Sequence, residues 1–234
     1  MDSITEYQLA NYEKVDPPDL PKSNFYYSFS FLPKEERNAI NSVYAFCSYI
    51  DDIVDSSPNT NTKQVARKMK RLDWWEREVE RIYSGQLRNP MLNPFVMLIN
   101  RFEIPKQYFL TLIDGVRRDL TQSRYETFSE LKEYCYSVAS VVGLISIEIF
   151  GYNYEETKNY AVNLGYALQL TNILRDIKTD KDRGYIYIPQ EDLDRFNYSE
   201  KDLKNEVYSE NFVDMMRFQT QRVRDYYHKA RTSL

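Results

Sequence analysis

Apolar residues recur along this chain at helical spacing, three and four apart, and the strict alternation that marks strands is sparse. Pro33, placed for a first helical turn, opens a long helix predicted over 33–56, which runs out in Ser-Ser-Pro-Asn-Thr-Asn-Thr. A charged amphipathic helix is predicted over Thr62–Tyr83, with Lys and Arg interleaved with Glu on a solvated face and Gly85 as its stop. Shorter helices are predicted at Asn93–Phe102 and 105–122. Thr127-Phe-Ser-Glu130 has the form of a capping box and launches an apolar helix ending near Gly151. Asn153-Tyr-Glu-Glu156 marks the next start, Ser199-Glu-Lys-Asp202 a short helix, and 211–230 a last amphipathic one. Pro17, Pro18 and Pro21 forbid a helix at the beginning, so 1–20 reads as a flexible leader and 21–234 as one all-α domain.

Two predicted helices break the rule that buried faces are apolar. Over 162–177, Leu164, Leu168, Leu170, Ile173, Leu174 and Ile177 cover much of the circumference, as on a buried helix. Yet at about 100° per residue Gln169, Asn172, Asp176 and Asp180 share one face. In the first helix Tyr44, Ser48, Asp51 and Asp55 line up likewise, with Asp52 beside them and Val43, Phe46, Ile50, Ile53 and Val54 around them. Unpaired buried polar groups cost several kcal/mol, so each stripe must face partners, a metal or a wet cavity. The two stripes are predicted to face each other across one cavity. Carboxylates gathered that way repel by about 4 kcal/mol per pair at about 4 Å in an effective dielectric near 20, and cations relieve this. An all-oxygen donor set suits Mg²⁺, which keeps waters and bridges to phosphates.

Asp51-Asp52-x-x-Asp55 and Gln169-x-x-Asn172-x-x-Arg175-Asp176-x-x-x-Asp180 resemble the two aspartate-rich signatures of the squalene/phytoene synthase family, the head-to-head trans-isoprenyl diphosphate synthases. Ser23-Asn-Phe25-Tyr26-Tyr27, Tyr134-Cys-Tyr136-x-Val-Ala-x-Val-Val-Gly143 and Arg183-Gly184-x-Ile-Tyr187-Ile-Pro189 look like further blocks in family order, and the similarity spans roughly 20–230. Leu112-Ile-Asp-Gly115, Asp119-Leu-x-Gln122-x-Arg-Tyr125 and Ile149-Phe-Gly-Tyr152 look most like bacterial presqualene diphosphate synthases. The resemblance implies a single-domain type I isoprenoid-synthase bundle with a central cavity. Family members continue through further helices, so the chain is expected to lack C-terminal helices of that bundle.

The chemistry that the resemblance implies is Mg²⁺-dependent ionisation of an allylic diphosphate, then attack on the cation by the double bond of a second one. Asp51, Asp52, Asp55, Asn172, Asp176 and Asp180 are the implied metal ligands. Ser23, Phe25, Tyr26, Tyr44, Gln169, Asn172, Arg175 and Arg183 are the implied substrate-binding residues, and Tyr134 joins Asp51, Asp55, Asp176 and Asp180 as catalytic. Arginine supplies a bidentate fork for phosphate, aromatic faces steady a carbocation by about 0.5–2 kcal/mol each, and water must be excluded. The product expected is presqualene diphosphate from two farnesyl diphosphates, or squalene if NADPH takes part; the alternative is phytoene from geranylgeranyl diphosphate. A non-catalytic helper of the same fold is the alternative of another class, disfavoured by the retained aspartates. One departure is Ser48, where the family usually has arginine; Lys22, Arg37 and Arg183 are the candidate replacements.

Composition narrows the picture further. A net charge of −4 gives no electrostatic footprint for nucleic acid. The 21 tyrosines suit a wall that meets both lipid and water. Met1 to Asp19 is polar and acidic, unlike a secretory signal, and the longest uncharged run, Tyr134 to Ile147, is too short to span a bilayer. Cytoplasmic location follows as the expectation, with peripheral membrane contact for product release and a monomer or weak homodimer. Cys47 and Cys135 are expected reduced and buried. With His228 the one histidine, neither a cysteine–histidine nucleophile nor a Glu-x-x-His di-iron bundle is supported.

Overall fold

The computed structural model describes residue 29 and residues 31–55, 61–86 and 89–234, so the expected leader and the block from Ser23 to Tyr27 lie outside the described residues. Helix α1 (Lys34–Asp55) buries Ala39, Ile40, Val43, Phe46, Ile50, Ile53 and Val54, a stripe at the spacing its sequence predicts. Asn61 caps α2 (Thr62–Tyr83) by accepting the Gln64 N–H at 2.9 Å. A 3₁₀ turn at Pro90–Leu92 leads into α3 (Asn93–Phe102). Helix α4 (Lys106–Arg118) stops short of the predicted end at 122, and an irregular stretch beginning at Asp119 follows.

Thr127 caps α5 (Phe128–Cys135) through the Glu130 N–H, but the Glu130 carboxylate takes the N–H of Glu126 instead of closing a box on Thr127. The helix then widens into a π-helical segment, Tyr136–Ser140, before resuming as α6 (Val141–Phe150). Helix α7 (Glu156–Asp182) starts without a side-chain cap, three residues after the Asn153 expected to mark it. A short helix, α8 (Gln190–Arg195), occupies a stretch where none was predicted. Ser199 and Asp202 form the full capping box of α9 (Glu200–Lys204), and Ser209 caps α10 (Glu210–Thr232).

Among the described residues two large apolar cores result, with a small cluster of Leu144, Ile147 and Ala161 between α6 and α7. The first joins α1 to α4 and α6, with Phe46 at its hub: its ring lies 5.0 Å from Phe95, 5.4 Å from Phe109 and 5.4 Å from Trp75. Such pairs add about 0.5–1.5 kcal/mol each beyond the area they bury. The second core is tyrosine-rich and joins α5, α7 and α10 to the stretch around Ile186 and Ile188. Tyr136 and Val138 of the π segment touch both cores.

That segment is the point of closest helix approach. A Cβ on Gly165 of α7 would stand 2.4 Å from Ser140 Cα, and one on Gly115 of α4 would stand 2.6 Å from Ser137 Cβ. Ser140 Oγ also donates to the Val162 carbonyl at 2.8 Å, tying the segment to α7. Helices α1 and α7 both pack on α6 but not extensively on each other, which leaves their polar faces across a cleft. The continuous helix Phe128–Phe150 is long and apolar enough to cross a membrane, against the sequence expectation; half of its apolar window is buried inside the bundle.

Candidate active site

The cleft gathers the carboxylates of both stripes. Arg183, at the C-terminal cap of α7, donates from Nη2 to Asp55 Oδ1 of α1 at 2.6 Å, across 128 positions of sequence. Asp180, one turn before that cap, has its pKa raised to about 6 by partial burial, with Asp176 and Asp55 adding repulsion and Arg183 opposing it. On α1 the Asp51 carboxyl is pushed up to about 7, first by desolvation and then by the charges of Asp55 and Asp52. Asp51 is nonetheless exposed. Its side chain reaches water while the protein packed around the last turn of α1 displaces enough solvent to dominate its shift.

A carboxylate outside both stripes joins them. Asp119, just past the end of α4, accepts the Tyr134 hydroxyl on Oδ2 at 3.0 Å and the Tyr187 hydroxyl on Oδ1 at 3.2 Å. Its backbone carbonyl accepts the Tyr185 hydroxyl at 2.7 Å. Burial lifts its pKa to about 7; the two tyrosine hydrogen bonds pull it down, and Asp51 and Asp55 push it up. Around it Tyr134 and Tyr187 stack with centroids 5.4 Å apart, Tyr125 lies 5.6 Å and 5.8 Å from the two, and Tyr185 stacks on Tyr187 at 5.9 Å. The Tyr125 hydroxyl is buried without a hydrogen-bond partner among the described residues. Asp119 and Tyr187 stand in the family-like blocks of the sequence without a helical face that marks them as site residues. Buried hydroxyls need acceptors, and a lone aspartate ahead of a tyrosine-rich stretch was the available signal.

The expected site residues are therefore placed unevenly. Asp51, Asp55, Asp180, Arg183 and Tyr134 come together around the cleft with Asp119. Asp176 stands one turn before Asp180, with both oxygens held by its neighbour Arg175 at 2.8 and 2.6 Å; that contact holds its carboxyl below the usual range. Arg175 is thus spent on Asp176 and exposed, not aimed into the cleft as a free cation. Asp52 is exposed and acts on Asp51 through its charge. Tyr44, Gln169 and Asn172 are half-buried on their helices, whereas Leu168, expected in the buried set of α7, is 49% exposed. Ser23, Phe25, Tyr26 and Lys22 lie outside the described residues. Cys135 is buried and Cys47 half-buried, both as free thiols whose pKa burial drives up.

All donors in the cleft are oxygens, as a hard divalent cation requires. Among the described residues no three carboxylate, histidine or cysteine side chains converge closely enough to hold an ion by themselves, contrary to the compact ligand cluster expected from the two signatures.

Comparison with known proteins adds a second line of argument. The family model described as squalene/phytoene synthase matches residues 20–234. The chain is 39% identical over 216 residues to a phytoene synthase of Arthrospira platensis, covering 87% of this chain and 68% of that protein. It is 38% identical over 218 residues to the 15-cis-phytoene synthase of Synechococcus elongatus, covering 88% and 69%. The crystal structure of squalene synthase HpnC from Alicyclobacillus acidocaldarius superimposes with a TM-score of 0.81 at 28% identity, over 90% of this chain and 77% of that one.

Proposed function

The chain belongs to the squalene/phytoene synthase family, and from that premise we propose that it joins two prenyl diphosphates head to head with release of diphosphate. Its substrate in this reading is the C20 geranylgeranyl diphosphate and its product phytoene, supported by the higher identity to phytoene synthases than to the squalene synthase of known structure. The presqualene reading draws its support from the blocks Leu112–Gly115, Asp119–Tyr125 and Ile149–Tyr152 and from the squalene synthase structure at the lower identity of 28%. The observation that carries the reaction class is the meeting of α1 and α7 carboxylates around the Arg183–Asp55 contact.

Mg²⁺ fits this donor set. Asp51, Asp52 and Asp55 from α1 and Asn172, Asp176 and Asp180 from α7 would hold it, with waters and diphosphate oxygens completing each shell, since among the described residues no three carboxylate, histidine or cysteine side chains close on one point. Bound there, the ions supply Lewis-acid stabilisation of the departing diphosphate. The chain's own residues do the remainder. Arg175 and Arg183 pair with Asp176 and Asp55 and turn to the diphosphate once those carboxylates are otherwise engaged. The stacked faces of Tyr134, Tyr187 and Tyr125 offer the cation about 0.5–2 kcal/mol each. In the proton-loss step Tyr134 Oη accepts the substrate proton while passing its own to Asp119 Oδ2, along the 3.0 Å hydrogen bond already made. Phytoene is a hydrocarbon, so release toward a membrane surface belongs to the same proposal.

Product analysis by mass spectrometry, with C15 and C20 diphosphates, Mg²⁺, and with or without NADPH, tests the reading. A C40 product from the C20 substrate, indifferent to NADPH and nearly lost in Asp51→Ala and Asp176→Ala, is expected. Turnover of the C15 substrate alone would restore the presqualene reading, and full activity in both variants would remove the metal assignment.

A further inference from the structure

The last turn of α1 is built against its own electrostatics. It carries Asp51, Asp52 and Asp55 and no basic residue, although a helix C-terminus already concentrates negative partial charge and leaves carbonyls unpaired. Cations have to reach it from other elements. Arg183 is one, and its side chain is 48% exposed.

Another is Lys68 of α2. Only 4% of it is exposed, and its Nζ donates to the carbonyl of Val54, in that last turn, at 2.5 Å. Lys68 stands where the pattern of α2 asks for an apolar residue. Of the buried residues of that helix, Lys68, Leu72, Trp75, Val79 and Ile82 run four and three apart, with Glu78, paired to Arg81, buried beside Val79. Lysine is almost never fully buried unless paired. Desolvation accordingly pulls its pKa down, while Asp55 pulls it up and Arg183 and Arg71 oppose that. The ammonium thus sits buried against the last turn of α1, bonded to its backbone at Val54 and attracted by the charge of Asp55 next to it.

Resting on the function proposed above, we infer that Lys68 is a positioning residue for the metal-binding face of α1. Its hydrogen bond fixes the last turn through Val54, and its charge stays in place beneath the carboxylates. Arg183, exposed and on a different element, is the exchangeable partner that leaves Asp55 when substrate arrives.

Mn²⁺ binding in the presence of inorganic diphosphate, followed by electron paramagnetic resonance, separates positioning from mere packing. Lys68→Met suits both the helix and the apolar stripe, so it should keep the fold and melting temperature. Its Mn²⁺ affinity should nonetheless fall by about 10-fold or more, the range seen when outer partners of metal ligands are lost. Lys68→Arg, which keeps donor and charge, should recover most of that loss. Equal Mn²⁺ binding by wild type and Lys68→Met overturns the role of Lys68 and leaves the proposed function standing. A wild-type protein that takes up no Mn²⁺ with diphosphate overturns the proposed function itself. Should Lys68→Met lose its helical signal, Lys68→Gln, a donor without the charge, takes its place with the same outcomes.

Discussion

Asp119 is a carboxylate that its environment makes a stronger base. Its pKa stands near 7 against an ordinary 3.8, because burial outweighs the hydrogen bonds from Tyr134 and Tyr187. Between those values the folded chain binds more protons at this site than the unfolded chain, so the stability it contributes falls as pH rises through that window and is level above it. Asp119→Asn removes the titration while keeping an acceptor for one tyrosine. The metal-free wild type should therefore lose melting temperature from pH about 4 to about 7, and Asp119→Asn should lose less across the same interval. Parallel pH profiles for the two proteins would show that Asp119 titrates normally. That this residue escaped the sequence reading has a physical cause. Motif residues on α1 and α7 announce themselves by sharing a helical face, whereas Asp119 lies past the end of a helix, where no periodicity applies.

Helices were legible where local chemistry decides them. The stripe of α1, the Asn61 cap of α2 and the Ser199–Asp202 box act within one or two turns, and the observed ends follow them. The π segment was not legible, because its widened turn is imposed by neighbours: Gly115 and Gly165 let α4 and α7 approach Ser137 and Ser140 to distances that no side chain tolerates. Leu168 was misjudged for the related reason that periodicity gives a face but not what covers it. This contact yields a test. In an open helix glycine to alanine stabilises by about 1 kcal/mol. Gly165→Ala should instead destabilise by about 1–3 kcal/mol, because the added methyl meets the Ser140 backbone, which cannot rotate away. Chemical denaturation measures it; a stabilised variant would show that α7 has room to shift. The same displacement moves Asp176 and Asp180 relative to α1, so the half-saturating Mg²⁺ concentration for turnover should rise together with the loss of stability.

Across the described residues two large apolar cores are joined along α6 and the π segment, with like charges facing across the cleft between α1 and α7. Asp51, Asp119 and Asp180 all show raised pKa values, so the unliganded protein holds this cleft at an electrostatic cost, offset in part by Arg183. A ligand that binds only when both walls are in place must stabilise the whole fold in proportion to its affinity. Among the described residues Mg²⁺ alone meets too few carboxylates at any one point to do so strongly, whereas Mg²⁺ with inorganic diphosphate brings the missing oxygens. At about 100 times the dissociation constant the gain is about 2.7 kcal/mol, and for a domain of this size each kcal/mol moves the melting temperature by about 2–4 °C. A shift of about 5–10 °C is thus expected with both present, a much smaller one with either alone, and none in the double variant Asp51→Asn, Asp176→Asn. Diphosphate stabilising the double variant as much as the wild type would mean that the cleft binds it through Arg175 and Arg183 directly, without carboxylate-held ions.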